Sequence, residues 1–288
     1  MKVDAVDIFQ SERQRLIALA YRMLGERSAA EDVVQEVWLR WSGAAAQGID
    51  NPSGWLHRVT TRLAIDALRS ARHRREVYVG PWLPEPLLSD NQASPEDSFA
   101  LAQECQLALL WAMERLTPEE RAAFILRQVF DTEYSELADI LDKTESACRQ
   151  LVSRAAKQVR SARPRFDPDP NETLIMLTRF AQATAAQDHK TVLALLAPDV
   201  VAISDGGGKV RAAFRPLNGA QEVAQVLLSI AAGKSDLSGL RVVSVNGAPA
   251  IAILSGGEDD MLCTVATNDQ GQIDWIYILR NPDKLPMH

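Results

Sequence analysis

Apolar residues recur at helical spacing through most of the first 163 positions and switch to strand-like alternation only near the end. Ile8, Phe9, Leu16, Leu19, Ala20, Met23 and Leu24 line one helix face, and Gly25 stops that helix. Ser28 is placed to cap a second helix carrying Ala29, Val33, Val34, Val37, Trp38 and Trp41. The turn Asn51-Pro52-Ser53-Gly54 launches a third helix, 55–72, that buries Leu56, Val59, Leu63, Ile65, Ala67 and Leu68. A further helix is expected over 99–115. Thr117-Pro118-Glu119-Glu120 then joins a capping box to a proline at the first helical position, ahead of inward-facing Ala122, Ile125, Leu126 and Val129. Two short apolar stripes follow, Leu137, Ala138, Ile140 and Leu141, then Ala147, Cys148, Leu151, Val152 and Ala155. Between them Asp142 tolerates a left-handed backbone and Thr144 can cap the next helix, which makes the pair a helix-turn-helix.

Residues 77–98 break the pattern with Pro81, Pro84, Pro86 and Pro95 and read as an extended linker. Its Trp82-Leu83 pair fits either docking onto another surface or packing on its own domain. A second proline-rich linker covers 166–170. Beyond it, helices over 172–186, 190–196 and 220–231 and strands over 200–204, 240–245, 250–254, 261–267 and 273–279 indicate an α+β domain with antiparallel strands. The expected organisation is an all-α module at 1–76, the linker, an all-α helix-turn-helix module at 99–165, and the α+β domain at 171–288.

Charge changes this picture locally. The chain of 288 residues carries a net charge of -7, with segments 1–76 and 114–165 at +2 and +1, and 77–113 and 166–288 at -5 each. A nucleic-acid contact must therefore come from basic faces in the two positive segments. Cys105, Cys148 and Cys263 are far apart in apolar contexts and read as reduced core residues of a cytoplasmic protein. No signal-peptide pattern and no membrane-spanning run is present, and the four histidines lack metal-ligand spacing.

Two basic faces stand out. The second helix of the helix-turn-helix presents Thr144, Ser146, Arg149, Gln150, Ser153, Arg154 and Lys157, and no acidic residue occurs from 146 to 166. Such a face suits phosphates and base edges, and also suits plain solvation. The third helix carries Arg58, Arg62, Arg69, Arg72, Arg74 and Arg75, with Trp55 available to stack on an unpaired base or to continue the apolar stripe. In the α+β domain Asp274, between Ile273 and Trp275, is the best candidate for a carboxylate in an apolar cavity; Asp199, His189 and Asp205 are weaker. Asp205-Gly206-Gly207-Gly208-Lys209 lacks the spacing of a phosphate loop, and Val210 stands where its hydroxyl residue belongs. It reads as a tight turn that can lie close against another backbone.

The stretch Ala30-Glu31-Asp32-Val33-Val34-Gln35-Glu36-Val37-Trp38 resembles region 2 of RNA polymerase sigma factors, and the 116–160 module resembles region 4. Trp82-Leu83-Pro84-Glu85-Pro86, the Asp205 to Lys209 turn and Asn281-Pro282-Asp283-Lys284-Leu285 are similar to three motifs of the extracytoplasmic-function subgroup with a fused C-terminal SnoaL-like domain. The resemblance implies contact with the β′ and β subunits of core polymerase, through Asp32, Val33, Gln35, Glu36 and Trp38 on the region 2 side. It implies minus-10 recognition by Asn51, Trp55, Arg58, Arg62, Arg69 and Arg72, and minus-35 recognition by the helix-turn-helix face. The three motifs are expected to meet, docking the C-terminal domain on the helical modules near the linker. No cofactor, metal or catalytic residue is expected. The competing reading is a transcription regulator whose C-terminal domain binds a small ligand or retains enzymatic activity.

Overall fold

The computed structural model describes residues 5–44, 49–89, 105–162, 169–232, 240–253 and 260–285. The chain divides into two units, Met1–Glu76 with Asn91–Ala162, and Val77–Asp90 with Arg163–His288.

The first unit is helical: α1 (Ala5–Leu24), α2 (Arg27–Ala44), α3 (Pro52–Arg75), α4 (Leu107–Met113), α5 (Pro118–Gln128), α6 (Tyr134–Leu141) and α7 (Glu145–Ala162). Its helix ends follow local chemistry. The Asn51 side chain accepts from Gly54 N at 2.9 Å with proline at the first position of α3, so the helix starts three residues before Trp55. Thr117 and Glu120 complete the expected capping box on α5. Asp142 takes the left-handed conformation at φ 53°, and Thr144 Oγ1 accepts from Ala147 N at 3.2 Å to open α7. Leu16, Ile17, Leu19, Met23, Trp41, Leu56 and Leu68 fill the core of α1–α3. Arg121 is wholly buried; its Nε donates to Arg22 O at 2.9 Å and its Nη1 meets Glu114. Of the helix expected over 99–115, residues 99–104 lie outside the described part.

The second unit contains β1 (Leu88–Ser89), α8 (Pro170–Ala185), α9 (His189–Leu195), β2 (Leu196–Asp205), β3 (Leu217–Asn218), α10 (Ala220–Ala232), β4 (Leu240–Val245), β5 (Ala248–Ile253), β6 (Met261–Thr267) and β7 (Ile273–Leu279). The strands form one sheet in the order β1-β4-β5-β6-β7-β2-β3. Three differences from expectation stand out. The sheet is mixed, because β2 runs parallel to β7. Helix α8 opens at Pro170, two residues early, since Asp169 caps it by accepting from Asn171 N at 2.7 Å. Part of the expected linker is a strand: Leu88 and Ser89 pair antiparallel with Val245 and Ser244.

Helices α8, α9 and α10 cover one sheet face, where Leu177, Val192, Val223 and Leu228 pack with Val265, Ile273 and Ile276. Alternate residues such as Ile203, Ala250, Leu262 and Tyr277 point to the other face and are buried as well. No described helix is long and apolar enough to cross a membrane.

Candidate polymerase and nucleic-acid interfaces

On α2 the residues alternate between core and solvent as an amphipathic helix requires. Asp32 and Gln35 are exposed, and Glu36 and Trp38 are half-buried, Glu36 pairing with Arg40 at 2.8 Å and Trp38 packing on Phe9 with ring centroids 4.9 Å apart. Val33, by contrast, is buried in the core, so its side chain is turned away from any partner on this face. Leu39 is 58% exposed and joins the same face. An apolar residue off the buried stripe was its only signal in the sequence.

On α3 the Asn51 carboxamide is committed to the helix cap. Trp55 is half-buried, 5.6 Å from Trp41. It serves the core on one side and remains open on the other. The arginines of this helix are engaged inside the helical unit: Arg62 Nε donates to Ile140 O at 3.3 Å, Arg69 pairs with Glu119, and Arg72 donates to Leu116 O. Arg75 bridges Glu26 at 3.1 Å and Glu114 at 2.6 Å. Arg58 is half-buried. Burial, opposed by Glu12 and Glu136, holds the His57 imidazole below its ordinary value, which favours the neutral ring.

The face of α7 matches the expectation closely in exposure. Thr144, Ser146, Arg149, Gln150, Ser153, Arg154 and Lys157 are all exposed, while Cys148, Leu151, Val152 and Ala155 face the core. Two of its cations are held from behind. Arg154 pairs with Glu120 at 3.1 Å, and Arg149 pairs with Glu145 at 2.8 Å and sits over the Tyr134 ring at 4.7 Å. Burial pushes the Glu120 carboxyl up, but donors from Thr117 and Arg154 outweigh it and keep the group below its usual range.

The three short motifs meet inside the second unit. Asp205 is fully buried; its Oδ2 accepts from Leu83 N and from Lys284 Nζ, both at 2.8 Å. Its Oδ1 accepts from Tyr78 OH at 2.6 Å and Gly207 N at 3.0 Å. The Lys284 ammonium also donates to Leu83 O at 2.6 Å and lies 4.2 Å from the centre of the Trp82 ring. Gly207, at φ +64°, leaves room for Asn281, whose side-chain atoms stand 2.5 Å from where a Cβ would be. Lys209 and Asp283 close the rim at 2.6 Å, and Leu285 is buried. Pro84 and Pro86 are buried, while Glu85 is half-buried; Gly206 is buried, Gly208 exposed against Val79, and Pro282 exposed. Burial and the Asp205 carboxylate raise the Tyr78 phenol, which stays a donor. This clasp draws the 77–90 segment into the C-terminal unit; the expected role of the Asp205 turn as a close-fitting loop is filled by the tail and linker of that unit.

Asp274 lies where β7 is irregularly paired on both sides, opposite Ala266/Thr267 and opposite Leu196/Val201. Such bulges re-aim side chains. Its Oδ1 is sealed from solvent without a hydrogen-bond partner, as is Thr267 Oγ1, and burial raises the carboxyl to about 6. Asp199 is exposed, and Asp188 caps α9 by accepting from Thr191 N at 3.1 Å, leaving His189 exposed at the helix start. Among the described residues no cluster of His, Cys, Asp and Glu fits a metal ion.

Family models for sigma-70 region 2 and sigma-70 region 4 match residues 8–74 and 106–159. The chain is 41% identical over 229 residues to the ECF RNA polymerase sigma factor SigJ of Mycobacterium tuberculosis, covering 78% of this chain and 72% of that protein. It is 35% identical over 194 residues to the probable ECF sigma factor SigI of the same organism, covering 67% of each. The crystal structure of M. tuberculosis SigJ superposes with a TM-score of 0.79 at 33% identity over 97% of both chains. The two sigma-70 regions in order, with a helix-turn-helix in the second, agree with both relatives, and the mixed-sheet SnoaL-like unit after them agrees with the SigJ crystal structure. The chain belongs to the extracytoplasmic-function family of RNA polymerase sigma factors.

Proposed function

We propose that this sigma factor meets core polymerase and promoter DNA through three separate faces and is regulated in cis by its C-terminal unit. Asp32, Gln35, Glu36 and Trp38 form the region 2 contact with β′, within a module spanning 1–76. Asn51, Trp55, Arg58, Arg62, Arg69 and Arg72 serve the minus-10 element. The exposed face of α7, in a module spanning 99–165, reads the minus-35 element, and the 171–288 domain regulates. The protein works in the cytoplasm, without cofactor and without catalysis of its own.

The observation that carries the cis-regulatory reading is the Asp205 clasp. The segment leaving α3 toward α4 is held by Lys284 and Asn281 instead of spanning freely between the two modules. A buried ion pair of this kind fastens firmly: intact it is satisfied, and broken it leaves a charge to be rehydrated. Removing 281–288, or replacing Trp82 with Ala, releases the tether and changes promoter-specific transcription in the same direction. In vitro transcription beside solution scattering tests this, and identical activity and dimensions in all three proteins rule it out. A second reading, small-ligand binding or turnover by the C-terminal unit, is favoured only by Asp274 and its unpartnered oxygen.

A further inference from the structure

One cation of the minus-35 face lies over an aromatic ring from another helix. Arg149 stands in the second turn of α7, and recognition helices address base edges from their N-terminal turns. Its guanidinium lies 4.7 Å from the centre of the Tyr134 ring, at the start of α6, and pairs with Glu145 at 2.8 Å. Arg127 of α5 lies over the same ring at 5.3 Å, and it is anchored by Asp131 at 2.5 Å. One aromatic ring thus ties the exposed ends of α5, α6 and α7 together.

We propose that Tyr134 is a positioning residue that determines minus-35 specificity by holding Arg149 in its base-reading conformation. This rests on the reading of α7 as the minus-35 helix. An exposed arginine loses rotamer freedom when it forms a bidentate pair with a base, and any restraint already present lowers that cost. Glu145 also restrains the guanidinium, but it does so by occupying one of its N–H donors at 2.8 Å. The Tyr134 ring is neutral, attracts the guanidinium through its face, and leaves the edge donors free for a base.

The test uses the full chain, with sequences selected from DNA randomised over the minus-35 region, for wild type, Tyr134→Ala, Tyr134→Phe, Arg149→Ala and the Tyr134→Ala/Arg149→Ala pair. Arg149→Ala identifies the base position that this arginine reads. At that position Tyr134→Ala is expected to lower discrimination about three- to tenfold. Tyr134→Phe retains discrimination, because the ring remains, and the double variant is no worse than Arg149→Ala. Equal weakening on all sequences by Tyr134→Ala marks a merely structural role and overturns the proposal, as does additive loss in the double variant. If Arg149→Ala keeps every base preference while wild type shows a clear minus-35 preference, the proposal falls but the role of α7 stands. A wild type without minus-35 preference removes the underlying reading itself.

Discussion

Asp205 accepts four hydrogen bonds while having no exposed surface, and only one of its donors, Lys284, brings a full charge. Removing that charge leaves a carboxylate buried beside neutral donors. Lys284→Met is therefore expected to destabilise the second unit by about 3–5 kcal/mol, read from urea unfolding. Asp274 is the opposite case, a carboxyl that burial raises to about 6. Its folded value exceeds its unfolded one, so the protonated form is favoured; the penalty is full above pH 6 and fades as pH falls toward the ordinary carboxylate range. With allowance for its partial exposure, Asp274→Asn should raise the melting temperature of this unit by about 2–4 °C at pH 7.5 and leave it unchanged at pH 3.5. These two aspartates were not equally legible. Asp142 and Thr144 were readable because a left-handed cap and an N-cap are decided by neighbours in sequence. Asp274 was marked by its apolar flanks, whereas Asp205 was a weaker candidate in a turn expected to meet the other two motifs, and its specific partners Leu83 and Lys284, 122 and 79 residues away, were not legible.

At the scale of elements, the periodicity that located α1, α2, α3, α5, α6 and α7 says which side is buried but not what the polar side touches. The arginines of α3 show the difference. They look solvated and one-signed in sequence, yet Arg69, Arg72 and Arg75 find carboxylates or carbonyls from α4, α5 and the turns beside them. Any DNA that this helix binds must compete with these partners. Glu119 of α5 pairs with Arg69 with 28% of its own side chain exposed, and Glu119→Gln should raise affinity for single-stranded minus-10 DNA about two- to fivefold at low salt. The gain should shrink as salt rises, since the pair is screened. Titration of a labelled oligonucleotide at two ionic strengths measures both effects. The α7 cap is a separate matter: Thr144→Ala should cost about 1 kcal/mol of the helical unit's stability, followed by circular dichroism on heating.

In the whole molecule, the boundary between units does not follow the chain. Region 77–90 belongs to the C-terminal unit, although residues on both sides of it belong to the helical one. No periodicity could have shown this, because β1 is two residues long and its partners are 157 and 155 positions away. Proline and acidic content read this segment as a linker, and only the resemblance of its Trp82 motif pointed it toward the C-terminal motifs. The amides of Leu83 and Leu87 donate to Asp205 and to Asn246 Oδ1, so hydrogen exchange should protect them together with β4 and β7 and not with α3. Lys284→Met should release Leu83 from protection first.

The clasp also sets an order in time. Leu83 and Lys284 are separated by 201 residues. At ribosomal speed about 10–40 s pass between the synthesis of one and the other. Throughout that interval the helical modules emerge and fold from local contacts, while the segment between them has no sheet to join. Every molecule is thus born with this segment unfastened and gains the clasp only when its far end arrives, so a nascent or prematurely terminated chain has the helical modules but not the clasp.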